Sequence, residues 1–178
     1  MILVSLTKKE CREAARAAIE RRLTNLFKEL KNLTSHGYAC GNAWASDIEA
    51  AGAEVAFSKF IGEEWIGDVN TFHAPDVAGG WQVRYTDNPR GRLIIRPIDK
   101  PKYNEKFVFV RGLMPEYEIV GYIVGEEAIK EKYYLNPNKK GGAYFVPDKD
   151  LIKFEKNKNS PPKEVSRVSG RYTDCFNF

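Results

Sequence analysis

The chain has 178 residues, 43% of them apolar and 29% charged, the proportions of a folded globular domain rather than a disordered chain. No run of about 18 apolar residues occurs, so no membrane-spanning helix is expected, and three scattered cysteines (Cys11, Cys40, Cys175) form neither a disulfide framework nor a Cys-x-x-Cys metal pair. The net charge of +4 suits a polyanionic partner without requiring one, and the composition as a whole fits a cytoplasmic protein.

Met1 to Leu6 lacks the basic front and long apolar stretch of a secretory signal and leads straight into a helix pattern. Thr7-Lys8-Lys9-Glu10 has the form of a capping box. Ala15, Ile19, Leu23, Leu26, Leu30 and Leu33 then recur at helical spacing, which predicts a long N-terminal helix with that stripe toward the core. Arg12, Arg16, Glu20, Lys28 and Lys31 form its charged back, and a homodimer through this helix is an alternative use of the stripe.

Gly37 and Gly41 mark a turn before a second helix, expected from a cap at Ser46 to Phe60 or Ile61, with Gly62 as its stop. Its residues from Ala50 onward are small or apolar all round, the pattern of a helix buried on both sides. Glu54 lies on this helix, and a buried carboxylate must find a partner, a metal or a proton.

Strands follow. Trp81, Val83 and Tyr85 alternate with Gln82, Arg84 and Thr86, and Asp87 to Gly91 reads as a turn. Leu93-Ile94-Ile95, Phe107 to Val110, Tyr117 to Val124 and Ala143 to Val146 are further strands, with a short helix near Glu126 and an exposed loop over 136–142. Glu155 to Arg171 is rich in Lys, Asn, Ser and Pro. Residues 1–154 therefore form one domain and 155–178 a loosely docked tail. Successive strands joined by short turns predict an α/β (α+β) domain with a mixed or antiparallel sheet flanked by helices.

Glu54 on a packed helix, Asp76 after Pro75 at a bend, and Gln82 and Arg84 on one face of the next strand supply the parts for chemistry on a phosphodiester. A hard divalent cation takes oxygen ligands, and a nearby positive charge can orient water or phosphate. These residues, in Ala53-Glu54-Val55-Ala56, Pro75-Asp76-Val77 and Trp81-Gln82-Val83-Arg84-Tyr85-Thr86, resemble the PD-(D/E)XK nuclease superfamily, especially small phage and bacterial proteins with a Gln-Val-Arg strand. The resemblance runs from about Asp47 to Lys130 and implies a restriction-endonuclease-like core. It also implies a hydrolase acting on DNA, with Mg²⁺ or Mn²⁺ held by Glu54, Asp76 and Gln82, and Arg84 as the fourth catalytic residue.

Gln82 stands where the superfamily has an acid and Arg84 where it has a lysine, so one ligand is neutral and the cation is a poor proton carrier. These departures favour an alternative: a non-catalytic nuclease-fold protein that binds nucleic acid or a protein, such as a phage factor blocking host defence. Trp81, Arg90, Arg92 and Arg96 are candidate nucleic-acid contacts. Asp68 is a rival carboxylate, Asp99 and Lys100 are candidates to flank the site, and His73 is a candidate base.

Overall fold

The computed structural model describes residues 2–27, 42–65, 67, 75–97, 99, 103–136 and 141–155. Strand β1 (Ile2–Ser5) leads into helix α1 (Lys8–Phe27), followed by α2 (Ala43–Ile61) and strands β2 (Trp81–Thr86) and β3 (Leu93–Ile95). Then come β4 (Lys106–Leu113), β5 (Glu116–Val124), the single turn α3 (Gly125–Ala128), β6 (Tyr134–Leu135) and β7 (Ala143–Val146).

The order β1-β5-β4-β2 makes a four-stranded sheet in which β2 and β4 run parallel and the other pairs antiparallel. The mixed sheet expected from the sequence is thus present. A second sheet, β3-β7-β6, is antiparallel throughout. Alternation along β4 ties the layers together: Val108 and Val110 face the helices, while Phe107 and Phe109 join Leu93, Ile95 and Val146 of the second sheet. Each fully buried Val or Phe contributes about 1.5–3 kcal/mol. A bulge at Val120 of β5 shifts the register, so Tyr117, Ile119 and Tyr122 lie on the helix side and Val120 and Ile123 on the other.

Both helix starts are capped. Glu10 N–H donates to Thr7 Oγ1 at 3.3 Å and Thr7 N–H to Glu10 Oε2 at 2.6 Å, the expected capping box. For α2 the cap is Asn42, whose Oδ1 accepts from Ala45 N–H at 3.1 Å, not Ser46; Ser46 already sits in the first turn, donating its N–H to Asn42 O. Gly62 ends α2 in the left-handed region, φ 76°, where a side chain is strained.

α2 is buried continuously from Ala51 to Ser58, as its composition requires, because it packs on β1, β2, β4 and β5 and also against α1. The face of α1 differs from expectation. Ala14 and Ala18 are its buried residues, whereas Ile19, Leu23 and Leu26 are exposed. Small side chains let the two helix axes approach closely, and that contact selects the alanine stripe over the aliphatic one. The strand β1 was absent from the sequence reading; its four residues alternate in burial and pair with the outer edge of β5. Ile94 is half-buried between two fully buried neighbours because it points to the face of β3 opposite the core cluster that Leu93 and Ile95 join. Leu30, Leu33, most of the 136–142 loop and residues 156–178 lie outside the described residues.

Candidate functional site

Glu54 is buried on the α1 side of α2. The alanine stripe of α1 brings Arg21 opposite it, and the guanidinium donates from Nη1 to Oε1 and from Nη2 to Oε2, both at 2.9 Å. Trp65 Nε1 adds a third donor to Oε2 at 3.1 Å, and its ring lies 5.9 Å from the Arg21 Cζ. Two turns nearer the start of α2, Asp47 meets Arg22 at 2.9 Å. Burial raises the Glu54 carboxyl above its ordinary value; Arg21 and Trp65 oppose the shift, and the charge of Asp76 reinforces it.

Asp76 occupies the bend before β2, where Val77 bridges back to Trp81. Because β2 is the free edge of its sheet, the Val83 N–H is open to the Asp76 carboxylate and donates to Oδ2 at 2.7 Å. Arg84 Nη1 lies 3.7 Å from the same oxygen. The other arm of Arg84 donates to Asp99 Oδ1 at 3.0 Å, and its Cζ stands 5.0 Å over the Phe107 ring. Asp99 Oδ2 accepts the Arg96 backbone N–H at 2.8 Å, so Asp99 joins the end of β3 to β2.

Asp76 and Arg84 are thus brought together. Gln82 is fully buried and donates from Nε2 to Glu105 Oε2 at 2.6 Å. Its register partner Phe107 belongs to the cluster beneath the second sheet, whereas Trp81 and Val83 belong to the helix-side cluster. Gln82 and Arg84 therefore leave β2 on the face opposite α2, and Arg84 turns around the sheet edge to reach Asp76. Trp81 packs among Phe57, Tyr122 and Phe154 at centroid distances of 5.0, 5.2 and 5.8 Å, with Lys106 Nζ 4.8 Å from its ring. Arg90, Arg92 and Arg96 are exposed. Asp68, His73, His36, Cys40 and Lys100 lie outside the described residues.

The sequence reading missed Arg21, Trp65 and Glu105. Arg21 follows Ala14 and Ala18 at helical spacing, so the alanine stripe was the available signal.

A magnesium-like ion needs several oxygen donors converging on one point. Both Glu54 oxygens face Arg21, Asp76 Oδ2 faces a backbone N–H and Arg84, and the Gln82 amide nitrogen is directed to Glu105. Among the described residues, no three His, Cys, Asp or Glu side chains gather to hold an ion. In this arrangement Arg21 occupies both Glu54 oxygens and would have to release them before Glu54 could hold such a cation.

No protein-family model, curated protein or solved structure matches the chain. The nuclease resemblance accordingly rests on the residues themselves. No helix among the described residues is long and apolar enough to cross a membrane.

Proposed function

We propose that the chain is a nucleic-acid-binding protein of nuclease-like type that acts without cutting. The observation carrying this reading is the engagement of its carboxylates by arginines: Glu54 is clamped by Arg21, while Asp76 and Asp99 share Arg84. Such pairs neutralise and fix the carboxylates instead of leaving them as ligands. Arg90, Arg92 and Arg96, by contrast, meet no carboxylate among the described residues and supply positive charge for phosphates.

The test is binding of labelled DNA and RNA in EDTA, followed by incubation of plasmid and single strands with Mg²⁺ or Mn²⁺. Retained binding in EDTA with intact substrates is expected. Metal-dependent cleavage that disappears in Glu54→Gln and Asp76→Asn would overturn the non-catalytic reading. The charge of Asp76, which adds to the upward shift at Glu54, favours that second reading, a metal-dependent nuclease, in which Arg21 would have to swing away. Absence of nucleic-acid binding would direct the search to a protein partner.

A further inference from the structure

The geometry points to the outer face of the β3–β7–β6 sheet as a platform for single-stranded nucleic acid, a partner class that rests on the binding reading above. Leu93 and Ile95 point into the core, so Arg92, Ile94 and Arg96 share the opposite face of the β3 segment. Ile94 pairs directly with Phe145 of β7, and Leu135 of β6 pairs with Ala143, two residues from Phe145 on the same face. Ile94 and Phe145 belong to neither hydrophobic cluster, and Leu135 is 46% exposed. Ile94 and Phe145 are each half-buried, so among the described residues this face carries an apolar centre with a partly accessible aromatic ring beside the exposed Leu135.

Arginines stand at either end of that centre. At strand spacing, Arg92 and Arg96 are about 13 Å apart with Ile94 between them. Neither has an ion-pair partner among the described residues. The strand bearing them is held at both ends. At its start, Arg111 donates to Gly91 O at 3.1 Å and to Asp148 Oδ2 at 2.8 Å, joining the β2–β3 turn to the segment after β7. At its end, Asp99 joins the Arg96 backbone to Arg84. These two arginines are thus displayed from a fixed strand, which lowers the ordering cost of binding.

Charge complementarity selects a polyanion, and the apolar centre selects among polyanions. A ring beside flanking guanidinium groups suits unstacked bases, whose faces a duplex conceals. A duplex would use the arginines and leave Ile94 and Phe145 without a role.

Fluorescence anisotropy in EDTA with a labelled 20-mer single strand and the matching duplex tests this, using wild type, Arg92→Ala/Arg96→Ala and Phe145→Leu. Phe145→Leu keeps the apolar volume while removing the ring, and circular dichroism checks that each variant is folded. The single strand should bind more tightly than the duplex. The double arginine variant should flatten the slope of log K against log salt by about 1.4, two single-strand phosphate contacts. Phe145→Leu should weaken single-strand binding on the order of tenfold while leaving that slope unchanged. Wild-type binding unaffected by either variant, or equal loss of duplex and single-strand affinity in Phe145→Leu, overturns the platform and leaves the binding function standing. Failure of the wild type to bind any nucleic acid overturns both.

Discussion

Two sets of arginines lie on this fold, one paired and one not, and the difference separates architecture from display. Arg21, Arg84 and Arg111 are each aimed at carboxylates between elements far apart in sequence: α1 to α2, β2 to the end of β3, β4 to the segment after β7. Arg92 and Arg96 sit on the strand that two of these pairs hold, with no carboxylate within ion-pair reach among the described residues. A guanidinium with a fixed acid partner contributes geometry, whereas one without a partner leaves its charge available. Two of the chain's basic residues thus hold the strand from which two others project.

The sharpest way to break this comparison is Arg21→Ala. It strands Glu54 in a buried position, and removing one member of a buried pair costs about 3–5 kcal/mol. The Arg21 side chain keeps 26% of its exposure, so roughly 2–3 kcal/mol is expected by urea unfolding. A further change, Glu54→Leu in the Arg21→Ala background, should recover much of that loss because no uncompensated charge remains. The pH response gives an independent check. Glu54 already has a raised carboxyl, so the native state holds its proton to higher pH than the unfolded chain does. Without Arg21 the shift should grow, and the variant should lose stability as pH rises above about 4.5, the ordinary carboxylate value. A pH-independent deficit would show that Arg21 acts through packing alone.

Next in size are the two pairs that hold β3. Arg111 is the more enclosed: its side chain is 13% exposed, it reaches Asp148 and Glu118, and its Cζ lies 5.1 Å from the Phe109 ring. Arg111→Ala should cost about 2 kcal/mol and Arg84→Ala about 1 kcal/mol in the same unfolding assay. Both should also weaken single-strand binding, although neither side chain is part of the platform, because the strand carrying Arg92 and Arg96 loses an anchor. Conservative Arg84→Lys should restore little, since a lysine cannot span Asp76 and Asp99 with a planar fork. Unchanged affinity in Arg111→Ala would separate the anchoring pairs from binding.

Much of the fold was legible because local rules decided it. The Thr7–Glu10 capping box, the Gly62 stop, the period of two in β2 and the turn at Asp87 to Gly91 are short-range features, and each is present. The α1 face was not legible. Ile19, Leu23 and Leu26 make the stronger apolar stripe, but close approach to α2 favours Ala14 and Ala18, a tertiary preference invisible to periodicity. The same blind spot hid Arg21, and with it the partner of Glu54. At the candidate site, Asp76 and Arg84 lie together because a bend returns the chain to the strand it precedes. The fate of Gln82 was decided by Glu105, 23 residues later and on the far face of the sheet, a contact that no local pattern encodes.

The smallest expected stability effect belongs to Arg92→Ala and Arg96→Ala. Each removes an exposed side chain without an ion pair among the described residues, so the change should stay within about 0.5 kcal/mol. That near-zero result is what gives the binding data meaning. A variant that unfolds like wild type yet binds single strands less tightly has lost charge and not structure. Should either substitution destabilise the chain by as much as Arg111→Ala does, that arginine would belong with the paired set, and its charge would be serving the fold.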